Sequence, residues 1–307
     1  MIRVTIQGLD TTSAFRYTIA GQPVVVQREV AILEKFLEGR ASDQFARLLG
    51  NHRDIKLLSA TNAELRYHNV TPLAGEDHRL RYWRRGRRGQ IDIDGVAVCC
   101  IDFKDRHIHV LDARDVNGQL NLEVVVGPAL VVLLAYLSNY CLHASAVSTS
   151  AATVAFIGES GAGKSTLAQD QGVAWRQLSD DVLPLQTQAG ERIIELNTDF
   201  PQLKLNQACV PQGITEKKSL DLLIRLSPTP TEQIEFTEVG PKESLIQVVR
   251  HTVAAKLFSA PMMDKHAGFA RKVSLCVPMV ELSYPRDWEQ LTELRARISD
   301  YCAEKLS

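Results

Sequence analysis

Apolar and polar residues alternate along much of the N-terminal part of the chain. Residues 1–7 place Ile2, Val4 and Ile6 on one face, the period-2 signature of a half-buried strand. Residues 90–98 alternate, break at Asp94-Gly95 and resume, which predicts a hairpin closed by a two-residue turn. Residues 106–111 alternate again, whereas the apolar spacing between residues 30 and 49 is helical. The most apolar stretch, residues 124–137, is interrupted by Gly127-Pro128. It predicts a buried helix opening at Pro128 and is too short for a membrane span, which needs about 18 or more apolar residues.

Further along, the pattern changes to helix and strand in turn. Residues 151–157 (Ala-Ala-Thr-Val-Ala-Phe-Ile) read as a buried strand, and residues 164–169 open a helix. Strands are expected at residues 175–181, 190–196 and 203–205. A Pro/Thr/Glu-rich loop at 228–241 carries one more, at 233–236. Helical spacing returns at 244–257, a late strand is expected at 273–282, and a helix closes the chain from Trp288 to about Lys305. That helix presents Trp288, Leu291, Leu294, Ile298 and Tyr301 on one side. No internal repeat is present. These signals predict an α/β fold: a smaller β-rich domain over residues 1–120, then an α/β domain over residues 121–307.

Composition narrows the class. Hydrophobic residues at 45%, charged residues at 23% and a formal net charge of −1 over 307 residues describe an ordinary soluble protein. They argue against a dedicated nucleic-acid or membrane-surface binder. The cysteines at 99, 100, 141, 209, 276 and 302 show no C-x-x-C spacing, so reduced core thiols in a cytoplasmic protein are expected. The N-terminus lacks the apolar core of a signal peptide.

The chemistry concentrates in residues 158–166. Gly158-Glu159-Ser160-Gly161-Ala162-Gly163-Lys164-Ser165-Thr166 follows the predicted strand, opens the predicted helix and matches G-x-x-x-x-G-K-[ST]. Small residues let successive backbone N–H groups turn inward around phosphate oxygens, at a positive helix N-terminus. Lys164 would reach the β- and γ-phosphates and the Ser165 hydroxyl would bind Mg²⁺. ATP and Mg²⁺ are the expected cofactors. Asp180-Asp181 follows the next strand. A helix of about ten residues, about 15 Å long, would return the chain to an adjacent parallel strand whose carboxyl end lies beside this loop. One carboxylate there suits the metal and the other suits an acceptor's proton, although Ser-Asp-Asp is also ordinary turn chemistry. His143, upstream, would reach the same edge if its strand forms a hairpin with residues 151–157. A lone histidine is more often structural, and its functional role would be to orient the carboxylate pair or bias its protonation.

Together, residues 142–147 (Leu-His-Ala-Ser-Ala-Val), residues 158–166 and residues 178–181 (Leu-Ser-Asp-Asp) resemble the catalytic domain of the HPr kinase/phosphorylase family, which shares a PEP-carboxykinase-like sheet. Residues 199–205, 250–252 and 277–285 resemble its divergent branch, some of whose members are peptide or protein serine kinases. The resemblance covers roughly residues 120 to 305. It implies a P-loop serine kinase with Ser165 and Asp181 on the metal, Asp180 as general base, His143 supporting that base and Lys164 on the γ-phosphoryl group. Glu191 and Glu195 are both candidates for the family's third acid. The family's second signature, a Gly-containing segment ending in an Ile/Val-Asn-Val-like run, has no counterpart, so neither HPr nor a reverse reaction is implied. The implied partner is a protein or peptide with a serine hydroxyl. A small-molecule kinase acting on free serine and a nucleotide-sensing module are the alternatives, and a homo-oligomer is compatible with each. The basic run at residues 78–88 reads as a solvated surface or as a docking site for an acidic peptide. Arg250-His251, Lys256 and Arg271-Lys272 read as helix-surface charges or as further cations for phosphoryl transfer.

Overall fold

The computed structural model describes residues 2–6, 14–20, 22–27, 64–70, 78–110, 125–169, 175–187, 193–197, 200, 217–230 and 233–306. The helix expected at 30–49, the strand at 203–205 and Glu191 lie outside these residues. The fold is mixed α/β with several sheets. The chain divides into two compact units, residues 1–138 with 254–264, and residues 139–253 with 265–307.

The first unit carries β1 (Ile2–Ile6), β2 (Ala14–Ile19), β3 (Gln22–Gln27), β4 (Glu64–Val70), β5 (His78–Arg85), β6 (Arg88–Ile93), β7 (Val96–Asp102) and β8 (His107–Val110) in one sheet. Their order is β2-β3-β1-β8-β7-β6-β5-β4. The β6–β7 hairpin turns at Asp94-Gly95 as expected, with φ of 48° and 89° at the two residues, the conformation a two-residue hairpin loop demands. Helix α1 (Leu130–Tyr136) buries Leu130 through Ala135. The helical turn before it starts at Val125, so Pro128 lies inside that turn and does not open it. Tyr136 packs its ring 5.0 Å from Phe103, just beyond β7. The basic run is partly absorbed here. Arg84 donates to Ser259 Oγ at 2.9 Å and stacks 4.4 Å over Phe103, while Arg87 and Arg88 lie 3.6 and 3.8 Å from Asp102.

The second unit contains β9 (Asn139–His143), β10 (Ser145–Ser148), β11 (Thr153–Ile157), α2 (Lys164–Ala168), β12 (Arg176–Ser179), β13 (Val182–Thr187), β14 (Ile194–Asn197), β15 (Lys217–Ser219), β16 (Leu222–Thr229) and β17 (Glu235–Val239). Helix α3 (Pro241–Arg250) follows, then α4 (Ala260–Cys276), which begins in the first unit, then β18 (Met279–Pro285) and α5 (Leu291–Leu306). Six strands form the sheet β12-β10-β11-β16-β18-β17, and four form β15-β14-β13-β9. Strand β11 is buried at every position, as an interior strand with parallel partners requires.

Three expectations are corrected. First, residues 273–276 belong to helix α4. The alternation of Val273, Leu275 and Val277 suggested a strand, but the buried residues Met262, His266, Phe269, Ala270 and Val273 follow helical spacing, and Leu275 is 64% exposed. The helix stops just before Pro278, which cannot continue it. Second, α2 spans five residues instead of about ten, because Gln169 adopts ψ 138°. Third, β12 runs parallel to β11 but is not adjacent to it. Strand β10 lies between them, antiparallel to both.

The early end of α2 has a cause in α5. Arg295, 1% exposed, donates to the carbonyls of Thr166 (2.7 Å), Leu167 (3.2 Å) and Gln169 (2.7 Å). These are the carbonyls a helix end leaves unpaired, and a cation there also suits the helix dipole. Arg295→Met is therefore expected to destabilise the fold by about 3 kcal/mol or more, because three buried carbonyls lose charge-assisted donors. Urea denaturation checks this. A midpoint equal to that of the wild type would remove Arg295 from the account of α2.

Candidate functional site

The register of the central strands shapes the site. Ile157 pairs with Arg225, so residues 226–229 of β16 run past the end of β11, and residues 282–285 of β18 flank that overhang. The chain leaving β11 must turn against this wall. At Gly158, φ is 154° and an added Cβ would lie 3.0 Å from the Leu226 carbonyl oxygen, so only glycine passes. Gly161 and Gly163 take φ of 78° and 88°, which bends the backbone into a cradle before α2 starts. Two side chains at the end of β18 pin the loop from outside. The Tyr284 hydroxyl donates to the Ala162 carbonyl, and Arg286 donates to the Gly161 carbonyl at 3.0 Å.

Lys164, 6% exposed, points back along the loop. Its Nζ donates to the carbonyls of Gly158 at 2.8 Å and Glu159 at 3.1 Å. An open cleft of about 620 Å³ lies at this carboxyl edge, between residues 158–162, the β16 overhang at 225–228, His251 and Arg286. Its size suits a small-molecule ligand, and its position is where open α/β sheets bind them. Arg225 is held 3.3 Å from Glu281 and 3.5 Å from Glu243.

The histidine and the aspartates meet at a corner where the chain changes sheets. Ala144 separates β9 of the four-stranded sheet from β10 of the six-stranded one, and Asp180-Asp181 separates β12 from β13 in the same way. Pairing of Ala146 with Ser179 and of His143 with Val182 brings the two crossings together. His143 Nδ1 lies 3.2 Å from Asp181 Oδ1 and 3.2 Å from the Asp181 carbonyl. Both are acceptors, so Nδ1 carries the hydrogen. Asp180 is turned the other way. It is 5% exposed, its carbonyl accepts from Ser145 Oγ at 2.7 Å, and its Oδ1 lies 3.2 Å from the same hydroxyl. The expectation that His143 supports Asp180 is therefore corrected: the carboxylate it reaches is Asp181. Ser145 sits on the hairpin strand and occupies the position beside Asp180, while His143 lies on β9, beyond the β10–β11 hairpin.

His251 completes the cluster, and the sequence reading had given it no definite role. Its carbonyl accepts from the His143 N–H at 2.7 Å, and the following residues continue along β9, with Val253 N–H donating to Cys141 at 2.8 Å. Burial pushes the His251 imidazole down to about 4. The Glu159 carboxylate opposes this, and the positive Lys164, Arg250 and His143 reinforce it. The fields of Lys164, Glu159 and His143 thus converge at one imidazole. The neighbouring Arg250–Glu159 pair, at 2.7 Å, is exposed at both ends and adds little rigidity. Arg225 and Arg286 were also missed. The signal for Arg286 was a cation directly after the apolar alternation of residues 279–285, at a strand's carboxyl end.

A second buried histidine has a structural role. Thr252 Oγ1 gives its hydrogen to the Val248 carbonyl at 2.7 Å, so His266 Nε2, 2.8 Å away, is the donor to that oxygen. Burial pushes His266 down to about 4 as well. Both histidines stay neutral in the folded state at pH values where the unfolded chain, titrating near 6.5, has taken up protons. Stability contributed by this difference is complete above about pH 6.5 and lost as pH falls toward 4. Where both unfolded imidazoles are charged and both folded ones are not, the slope is about 2.7 kcal/mol per pH unit. Urea denaturation at pH 7 and pH 5 measures it. A pH-independent midpoint would contradict the buried, neutral assignment.

Cysteine chemistry is not the alternative in this part of the fold. Burial raises Cys99 and Cys141 far above the ordinary thiol range, and raises Cys100 and Cys302 to about 11. Such thiols carry no nucleophilic thiolate at neutral pH. No helix among the described residues is long and apolar enough to cross a membrane.

The glycine-shaped cradle, the buried ammonium and the hard oxygen donors of Ser165, Asp180 and Asp181 fit a magnesium-bound triphosphate. Among the described residues no cluster of three or more His, Cys, Asp or Glu could hold a metal ion by itself. A cation here would share its coordination with phosphate oxygens, as Mg²⁺ does. No protein-family model matches the chain, and no curated protein matches it. Among solved structures, the Hpr(Ser) kinase/phosphatase from Coxiella burnetii aligns with 53% of this chain and 97% of its own, at 12% identity and a TM-score of 0.32.

Proposed function

We propose that this chain is an ATP-dependent kinase of the HPr-kinase-like P-loop type that phosphorylates a serine hydroxyl of a protein or peptide. The observation that carries the reading is the loop itself. Its positive-φ glycines and buried Lys164 stand at the carboxyl ends of parallel strands, with the His143–Asp181 pair electrostatically coupled through His251. Residues 158–166 hold the phosphates by backbone N–H groups. Lys164 exchanges its loop carbonyls for the β- and γ-phosphate oxygens and balances the charge that develops there. Asp180, oriented by Ser145, and Ser165 are the residues that would hold Mg²⁺. When bound, that ion supplies charge neutralisation across the transferred group. This exchanges the roles first expected of the two aspartates, because the histidine partner belongs to Asp181. Asp181 fixes the His143 tautomer, and Nε2 takes the proton of the attacking hydroxyl.

The test is transfer from γ-labelled ATP with Mg²⁺, using purified protein added to extract of the source cells. Label is expected on serine in a discrete protein or peptide band. Label recovered in a small molecule would replace the acceptor class. ATP bound without any transfer would contradict the kinase reading and favour a sensing module.

A further inference from the structure

A second cavity of about 320 Å³ lies beside the first and shares Gly161, Ala162 and Arg286 with it. Its walls differ in kind. Leu167 of α2, Pro285 at the end of β18, and Leu291 and Leu294 at the start of α5 make it apolar, and the backbone of residues 161–163 closes one side. A single carboxylate, Asp287, stands in its lining, held by the Glu289 N–H, which donates to Oδ1 at 3.0 Å. The polar cleft and the apolar cavity are therefore joined around the same loop. A ligand that fits both has a charged chain at one end and a flat, weakly polar ring at the other.

We propose that this cavity is the nucleobase subsite, with Asp287 accepting a hydrogen bond from an exocyclic amino group such as adenine N6; the proposal rests on the nucleotide reading above. The volume lies at the low end for ligand pockets, about 300 Å³, and suits a base without its phosphates. The leucines and Pro285 cover the ring faces. A carboxylate accepts and never donates, so it favours an amino-bearing edge and repels a carbonyl at the same place. A base with a carbonyl there, as in hypoxanthine, is disfavoured because it leaves both oxygens without a donor.

Equilibrium binding of ATP, ITP and inorganic tripolyphosphate, each with Mg²⁺, tests this. ATP is expected to bind at least about tenfold more tightly than either of the others, one lost polar pairing being worth roughly that factor. Asp287→Asn is expected to remove most of the ATP-over-ITP preference. Leu291→Asn, placed at the start of α5 where asparagine is well tolerated, is expected to weaken ATP about tenfold and leave tripolyphosphate unchanged. Equal affinities for all three ligands, or an ATP/ITP ratio unmoved by Asp287→Asn, would overturn the subsite and leave the phosphate loop standing. Failure of both ATP and tripolyphosphate to bind would overturn the loop reading and the subsite with it.

Discussion

Lys164→Ala is expected to lower kcat/KM for phosphoryl transfer by about 10³ or more. Removing one preorganised donor from developing negative charge costs about 10² to 10³ in kcat by itself, and the loss of ground-state phosphate binding adds to it. The burial of this lysine makes the effect large. Its ammonium is 6% exposed and is bonded to two carbonyls of its own loop, so its charge acts in a poorly screened setting. Unlike the exposed Arg250–Glu159 pair, it is not interchangeable with solvent. Both kcat and the ATP dissociation constant are expected to suffer. Activity close to wild type in a folded variant would remove the loop from the mechanism.

The second large effect separates the two aspartates. Asp181→Asn is expected to lower kcat by about 10² to 10⁴, the range for losing a positioned acid–base group, with ATP affinity changed little. The amide still occupies the place of the carboxylate, but it no longer balances the imidazolium formed when Nε2 takes the proton. Asp180→Asn is expected to behave differently. It weakens the Mg²⁺ dependence of nucleotide binding, because Asp180 is the carboxylate that Ser145 orients and His143 does not reach. A kcat loss confined to Asp180→Asn, with Asp181→Asn active, would reverse the assignment. His143→Gln offers an independent check, since it is expected to resemble Asp181→Asn in both kcat and ATP affinity.

Local elements with strong periodicity were legible in the sequence. The Asp94-Gly95 hairpin, the buried strand before the glycine loop and the closing helix with Leu294 and Ile298 inward all follow from spacing and turn chemistry. The errors came where two periods compete or a distant residue decides. Val273 and Val277 satisfy both a strand and a helix reading, and only the burial of His266 and Phe269 on the same face selects the helix. Helix α2 stops at Ala168 with its last carbonyls taken by Arg295, more than a hundred residues away, which no local window reveals. The site shows the same limit. The phosphate loop is a contiguous motif and could be read directly. Pairing of His143 with Asp181 instead of Asp180 depends on both crossings between two sheets, and the approach of His251 depends on its segment lying along β9.

The central claim is that residues 158–166 hold the phosphates of a nucleotide. Backbone amide spectra of the labelled protein, titrated with ATP and Mg²⁺, test it at the atoms concerned. The account predicts large saturable shifts at Gly161, Gly163, Lys164 and Ser165, the N–H groups that would face phosphate oxygens, and their loss in Lys164→Ala at the same ATP concentration. Unmoved amides in this loop at ATP concentrations that saturate the protein would contradict it.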